Sequence, residues 1–160
     1  MTTIPFSLPR QGQPWQRNQL IDLLGVAASV NEYSFVRKSA LSWLAVFPGD
    51  LTVQLIHAQA VSKTLSTVQA GELLDKICLI DPAYAEAQLQ RYEIASEEDR
   101  RGNYAGELYA LAPNQRIFRD PAIQADLPSW AEPLAELRSE LHQGNLLSAA
   151  QSLPAVLAKD

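Results

Sequence analysis

The sequence predicts an all-α chain built of stacked antiparallel helical hairpins. Apolar residues recur at helical spacing along most of its length. Proline- and aspartate-centred breaks interrupt that pattern at regular intervals. Pro48 and Pro82 stand 34 residues apart, each followed by a helix–turn–helix pattern, and a fixed period of that size marks stacked repeats. A single hairpin leaves an apolar face in water, so stacking is what buries the core.

Residues 1–14 read as an extended arm, because Pro5, Pro9, Pro14 and Gly12 prevent a stable helix. Helical hairpins are expected at about 15–47, 51–80, 82–112 and 129–159. In the first, Leu20, Ile21, Leu23, Leu24, Ala27 and Ala28 share helical spacing, and Asn31-Glu32 marks the break. Its second helix places Phe35, Val36, Ala40, Trp43, Leu44 and Phe47 on one face. Pro48-Gly49-Asp50 stops it, and Asp50 can cap the helix that carries Leu51, Leu55, Ile56, Ala58 and Ala60.

Ser66 and Gln69, three residues apart, open the next helix as a capping pair; Val68, Leu73, Leu74, Ile77 and Cys78 follow. At Asp81-Pro82 one helix is expected to end and another to begin within two residues, since proline at the first helical position costs almost nothing and Asp81 can accept from the exposed N–H groups. Gly102-Asn103-Tyr104 reads as the turn of the third hairpin, with its second helix over 104–111. Residues 113–128 hold three prolines and form a connector with one turn at 121–125. Ser129 to Glu132 is a second capping box; Leu134, Leu137 and Leu141 make a stripe, and Gly144-Asn145 turns the chain into its last helix.

Composition narrows the function classes. The chain has 160 residues, 47% of them hydrophobic and 19% charged, enough apolar content for a core. A net charge of −5 argues against a nucleic-acid partner, which would need clustered Lys and Arg. No apolar run reaches the length of a transmembrane helix and the proline-rich start is not a signal peptide, so no membrane partner and a cytoplasmic location are expected. Cys78 is the single cysteine, which excludes an intrachain disulfide.

The unit 51–82 resembles the tetratricopeptide repeat. Ala58 matches the small residue where the two helices cross, Ala70 and Leu74 the small and bulky residues of the second helix, and Asp81-Pro82 the repeat end. Leu65, Gln54 and His57 depart from the family pattern, which has glycine, a large aromatic or apolar residue, and an apolar residue there. The resemblance implies a right-handed α-α superhelix, a tetratricopeptide-like solenoid. Gly144, Ala149, Leu153 and Asp160 repeat the family's spacing, and no polar capping helix follows; an N-terminal piece of a longer repeat protein is therefore expected.

No catalytic, cofactor or metal site is expected. His57, His142 and Cys78 are scattered, with Cys78 on an apolar face between Ile77 and Leu79. The glycines are dispersed rather than gathered in a phosphate loop. Glu93 and Glu97, four apart, read as a solvated face. The chain is thus expected to be no enzyme but a protein–protein interaction scaffold. In the family, first helices line a concave groove that holds a peptide; carried over, the partner-binding positions are Thr52, Leu55, Gln59 and Ser62, then Glu86, Leu89 and Glu93. Such a surface suits an apolar or basic segment, and with Lys63 as its lone cation it excludes the family's clamp for an acidic chaperone tail. The alternative is a structural or regulatory segment of a larger enzyme or transcription regulator, with no ligand of its own. Self-association through the solenoid ends or the arm is the further expectation.

Overall fold

The computed structural model describes residues 16–96 and 98–157, so the arm at 1–14, Glu97 and Asp160 lie outside the described residues. Among the described residues all regular structure is helical. The chain divides into two compact units that meet in sequence between Ser66 and Thr67. That boundary falls within the segment 51–80 read above as one hairpin.

The first unit holds α1 (Arg17–Ser29), α2 (Tyr33–Leu44) and α3 (Leu51–Thr64), with α2 packed against both others. Its core joins Leu20, Leu24 and Ala27 of α1 to Val36 and Ala40 of α2 and Val53 and Ala60 of α3. Full burial of a leucine such as Leu24 contributes about 1.5–3 kcal/mol. Asn31 makes the first turn, at φ 63°, a left-handed conformation that asparagine tolerates better than most residues. Around it the Asn31 N–H bonds the Ala28 carbonyl at 3.0 Å and the Glu32 N–H the Ala27 carbonyl at 2.9 Å, the paired bonds that close a helix C-terminus. Two residues expected on the buried face of α2 turn outward: Phe35 is 44% and Phe47 50% exposed. The helix ends at Leu44, so Phe47 no longer follows its periodicity.

The second unit runs through α4 (Thr67–Ile80), α5 (Ala85–Ile94), α6 (Glu98–Leu111), a 3-10 turn (Arg116–Arg119), α7 (Pro121–Ala125), α8 (Ala131–His142) and α9 (Leu146–Leu157). Neighbours in sequence pack on one another, except that α6 reaches past α7 to α8. The core collects Leu74, Ile77 and Cys78 from α4, Ala87 and Tyr92 from α5, Ala105 and Leu108 from α6, and Leu137 and Ala149 beyond.

Three local expectations are corrected here. The Asp81-Pro82 corner takes four residues, not two: Asp81 Oδ1 accepts from the Ala83 N–H at 3.0 Å, closing a small turn, and α5 begins at Ala85 with Tyr84 before it. Asp-Pro does start a helix at Asp120-Pro121, where the carboxylate accepts from the Ala122 N–H at 3.0 Å with proline at the first position. Gly102, Asn103 and Tyr104 lie inside α6 rather than at its start. In the sequence, Ser96 followed three residues later by Asp99 is the stronger helix-start pattern. Finally, Trp130 and not Ser129 precedes α8, and its side chain makes no capping bond.

Gly106 permits the closest approach in the second unit. A Cβ there would stand 2.8 Å from Cη2 and 3.0 Å from Cζ2 of Trp130, and 3.1 Å from Pro128 Cδ. Gly25, within α1, meets nothing within 4 Å. Helix propensity favours alanine over glycine by roughly 1 kcal/mol at both sites, but overpacking costs about 1–3 kcal/mol. Gly25→Ala should therefore stabilise the chain, and Gly106→Ala should destabilise it by up to about 2 kcal/mol net. Urea unfolding of the two variants checks both signs.

Candidate functional site

The corner between α2 and α3 gathers the first unit's polar groups around one carboxylate. Asp50 caps α3, its Oδ1 accepting from the Val53 N–H at 3.3 Å. Arg17, at the start of α1, grips it with two bonds, Nε to Oδ2 at 2.7 Å and Nη2 to Oδ1 at 2.9 Å. The same Nη2 donates to the Thr52 hydroxyl at 2.9 Å. Trp43, near the end of α2, donates its indole N–H to Oδ2 at 3.1 Å. All three helices of the unit are thereby tied to one side chain. The Arg17 guanidinium holds the Asp50 carboxyl below the usual carboxylate range, against the opposing effect of burial. Ionised and fully engaged, Asp50 is an anchor rather than a proton acceptor.

Beside this anchor the surface opens into a recess of about 830 Å³, walled by Arg17, Trp43, Val46, Phe47, Leu51 and Thr52. The Phe47 ring lies 4.4 Å from that of Trp43, centroid to centroid, and Val46 is 68% exposed.

Of the residues inferred for a partner face, Thr52 lines this recess. Leu55 lies inside the unit. It is 6% exposed, because α3 is buried on several sides, with Val53, His57, Ala58, Ala60 and Val61 also inside. Gln59 and Ser62 are half-buried, and the Ser62 hydroxyl is spent on the Gln59 carbonyl at 2.7 Å. These four belong to the first unit. Glu86 and Glu93 of the second unit are exposed and Leu89 is half-buried. The helix carrying Glu93 ends at Ile94, before residue 97.

Arg91 is the polar node of the second unit. It donates to Asp75 of α4 at 2.8 Å, to Glu107 of α6 at 3.0 Å and to the buried Gln88 at 2.9 Å, and lies 4.0 Å over the Tyr104 ring. Its side chain is 12% exposed while both carboxylates are about half exposed, so its role is to tie α4, α5 and α6 together. Cys78 sits beside it, and burial pushes that thiol up, away from the reactive thiolate. A second recess of about 600 Å³ is lined by Tyr92, Arg101, Asp120 and Asp126 among others, with the Arg101 guanidinium 4.8 Å over the Tyr92 ring.

Among the described residues no three His, Cys, Asp or Glu side chains stand close enough to hold a metal ion, and no helix is long and apolar enough to cross a membrane. Comparison with family models, with curated proteins and with solved structures returns no match.

The Arg17–Asp50–Trp43 contact was not readable beforehand, since Arg17 lies 33 residues from Asp50 with no local pattern linking them. Asp50→Ala removes the cap and the paired bonds together and should cost about 1–2 kcal/mol in chemical unfolding. As pH falls below about 4, the parent chain should lose the contribution of its depressed Asp50, and Asp50→Asn should not.

His57 adds a second pH response. Burial, and then the charge of Arg37 on α2, lower its proton affinity. Below about pH 6.5 the unfolded chain binds a proton that folded His57 resists, so stability declines as pH drops from there towards the lower folded value. His57→Gln should flatten that decline in urea midpoints measured between about pH 7.5 and 5.5.

Proposed function

We propose that this chain is a helical-repeat interaction module, a solenoid of the tetratricopeptide kind, acting by binding a protein segment rather than by chemistry. The observation that carries this reading is the recess beside the Asp50 anchor. Its apolar wall of Val46, Phe47, Trp43 and Leu51 is presented to solvent, and its polar side is already hydrogen-bonded. A pocket of that kind takes a short segment led by one or two bulky apolar side chains, with the Thr52 hydroxyl at its edge. The rigid anchor lowers the cost of binding, because little has to be ordered when a ligand arrives.

The alternating helix–turn–helix order supports the repeat reading. The inaccessible Cys78 thiol and the ionised Asp50 support binding over catalysis.

Panning a library of short peptides against the purified chain tests the proposal. Enriched peptides should be apolar, and their affinity, read by fluorescence polarisation, should fall at least about tenfold in Phe47→Glu. Peptides that bind Phe47→Glu as tightly as the parent, or the absence of any enriched sequence, would contradict it.

A further inference from the structure

We infer that the recess of about 600 Å³ in the second unit is a binding site for a free basic α-amino acid. The connector between α6 and α8 builds its outer wall. α6 packs directly on α8, so a short link would join them, yet the chain runs through residues 112–130 in between. Ordered connections of that length are usually functional. This one is fixed at three points. Phe118 is buried edge-on to Tyr109 of α6, with centroids 5.0 Å apart. The Gln124 amide donates to the Phe118 carbonyl at 2.6 Å. Pro128 packs on α6 at Gly106, where a Cβ would stand 3.1 Å from its Cδ. The recess is therefore preformed, which lowers the cost of filling it.

Three charged side chains line the space: Arg101 of α6, and Asp120 and Asp126 at the two ends of α7. The Arg101 guanidinium is held 4.8 Å over the Tyr92 ring by a cation–π contact. One Asp120 oxygen accepts from the Ala122 N–H at 3.0 Å. The Asp126 carboxylate has no hydrogen bond or ion pair among the described residues. It also stands at the C-terminal end of α7, where a negative charge opposes the helix dipole, so helix stability does not account for it. Arg101 bridges to neither aspartate, although all three border one recess. Opposite charges held apart across a preformed space are complementary to a ligand that carries both signs.

The count of charges selects the ligand. The walls carry one positive and two negative groups. A basic α-amino acid carries the inverse, a carboxylate for Arg101 and two cationic groups for the aspartates. By helical rise Asp120 and Asp126 lie about 9 Å apart along α7. The two nitrogens of an extended lysine are roughly 7 Å apart, which leaves room for a hydrogen bond at each end. Ile123 offers its aliphatic stem an apolar wall. A basic residue inside a peptide lacks the free carboxylate and the free α-amino group, and would leave wall charges unmatched. The volume falls in the range of small-molecule sites.

Isothermal titration calorimetry of the 160-residue chain with L-lysine and with L-arginine is the test. At least one should bind with a Kd of about 1 mM or tighter. Nα-acetyl-L-lysine, L-lysine amide and L-norleucine each remove one of the three charges, and each should bind at least about tenfold more weakly. Arg101→Gln and Asp126→Asn should weaken binding by a similar factor, with circular dichroism spectra unchanged because both side chains are exposed. Absence of binding by both amino acids up to about 10 mM overturns the inference. So does binding that L-norleucine matches, or that neither substitution weakens. None of these results bears on the recess of the first unit, whose peptide test is separate.

Discussion

At three corners of this chain the preceding segment leaves a carbonyl without a helical partner, and a glutamine in the first turn of the next helix satisfies it. Gln54 donates its side-chain amide to the Pro48 carbonyl, Gln88 to Pro82 at 3.3 Å, and Gln124 to Phe118 at 2.6 Å, each reaching back six residues. The bond pins the turn against the helix that follows. An intramolecular hydrogen bond of this sort contributes about 1 kcal/mol, and leaving the acceptor unmet costs more where it is buried. Gln88 is the most buried of the three, at 4% exposed.

Once corners set where helices begin, small side chains determine how closely they pack. Ala40, Ala58, Ala60, Ala87 and Ala131 are at or near complete burial, and Gly106 lets Trp130 settle on the α6 backbone. Interiors are packed to crystal density, so small residues at such points set interhelical distance rather than simply adding apolar area. Each unit then carries one arginine that reaches several helices: Arg17 through Asp50, and Arg91 through Asp75 and Glu107. Exposed ion pairs alone stabilise little; these count through the turns and helices they hold in register. The open recess in the first unit follows from that order. Val46 and Phe47 point outward because α2 has already ended and the turn to Asp50 is anchored.

Helix starts and stops were largely legible in the sequence because their causes are local. Asn31, Asp50, Ser66 and Gly144 act within a few residues of themselves, and the structure has helices breaking or beginning at each. Gly144, at φ 76°, closes α8 with the same paired bonds found at Asn31. The inward or outward sense of individual residues was less legible. The third helix is apolar around much of its circumference, so periodicity alone could not say that Leu55 faces the interior. The glutamine device left a trace that the repeat comparison obscured. Gln54 and Gln88 stand 34 residues apart, each six after a proline, yet Gln54 reads as a departure when matched to a family that has an apolar residue there. The Arg17–Asp50 pair had no trace at all, since a contact across 33 residues depends on the fold being present.

Chemical unfolding of Gln88→Leu and Gln54→Leu, with the exposed Gln69→Leu as control, tests the corner constraint most directly. Leucine is as good a helix former as glutamine, so propensity alone predicts no loss at any of the three sites. The account predicts losses of about 1 kcal/mol or more at Gln88 and Gln54 and none at Gln69. Unchanged or increased stability in the two corner variants would contradict it.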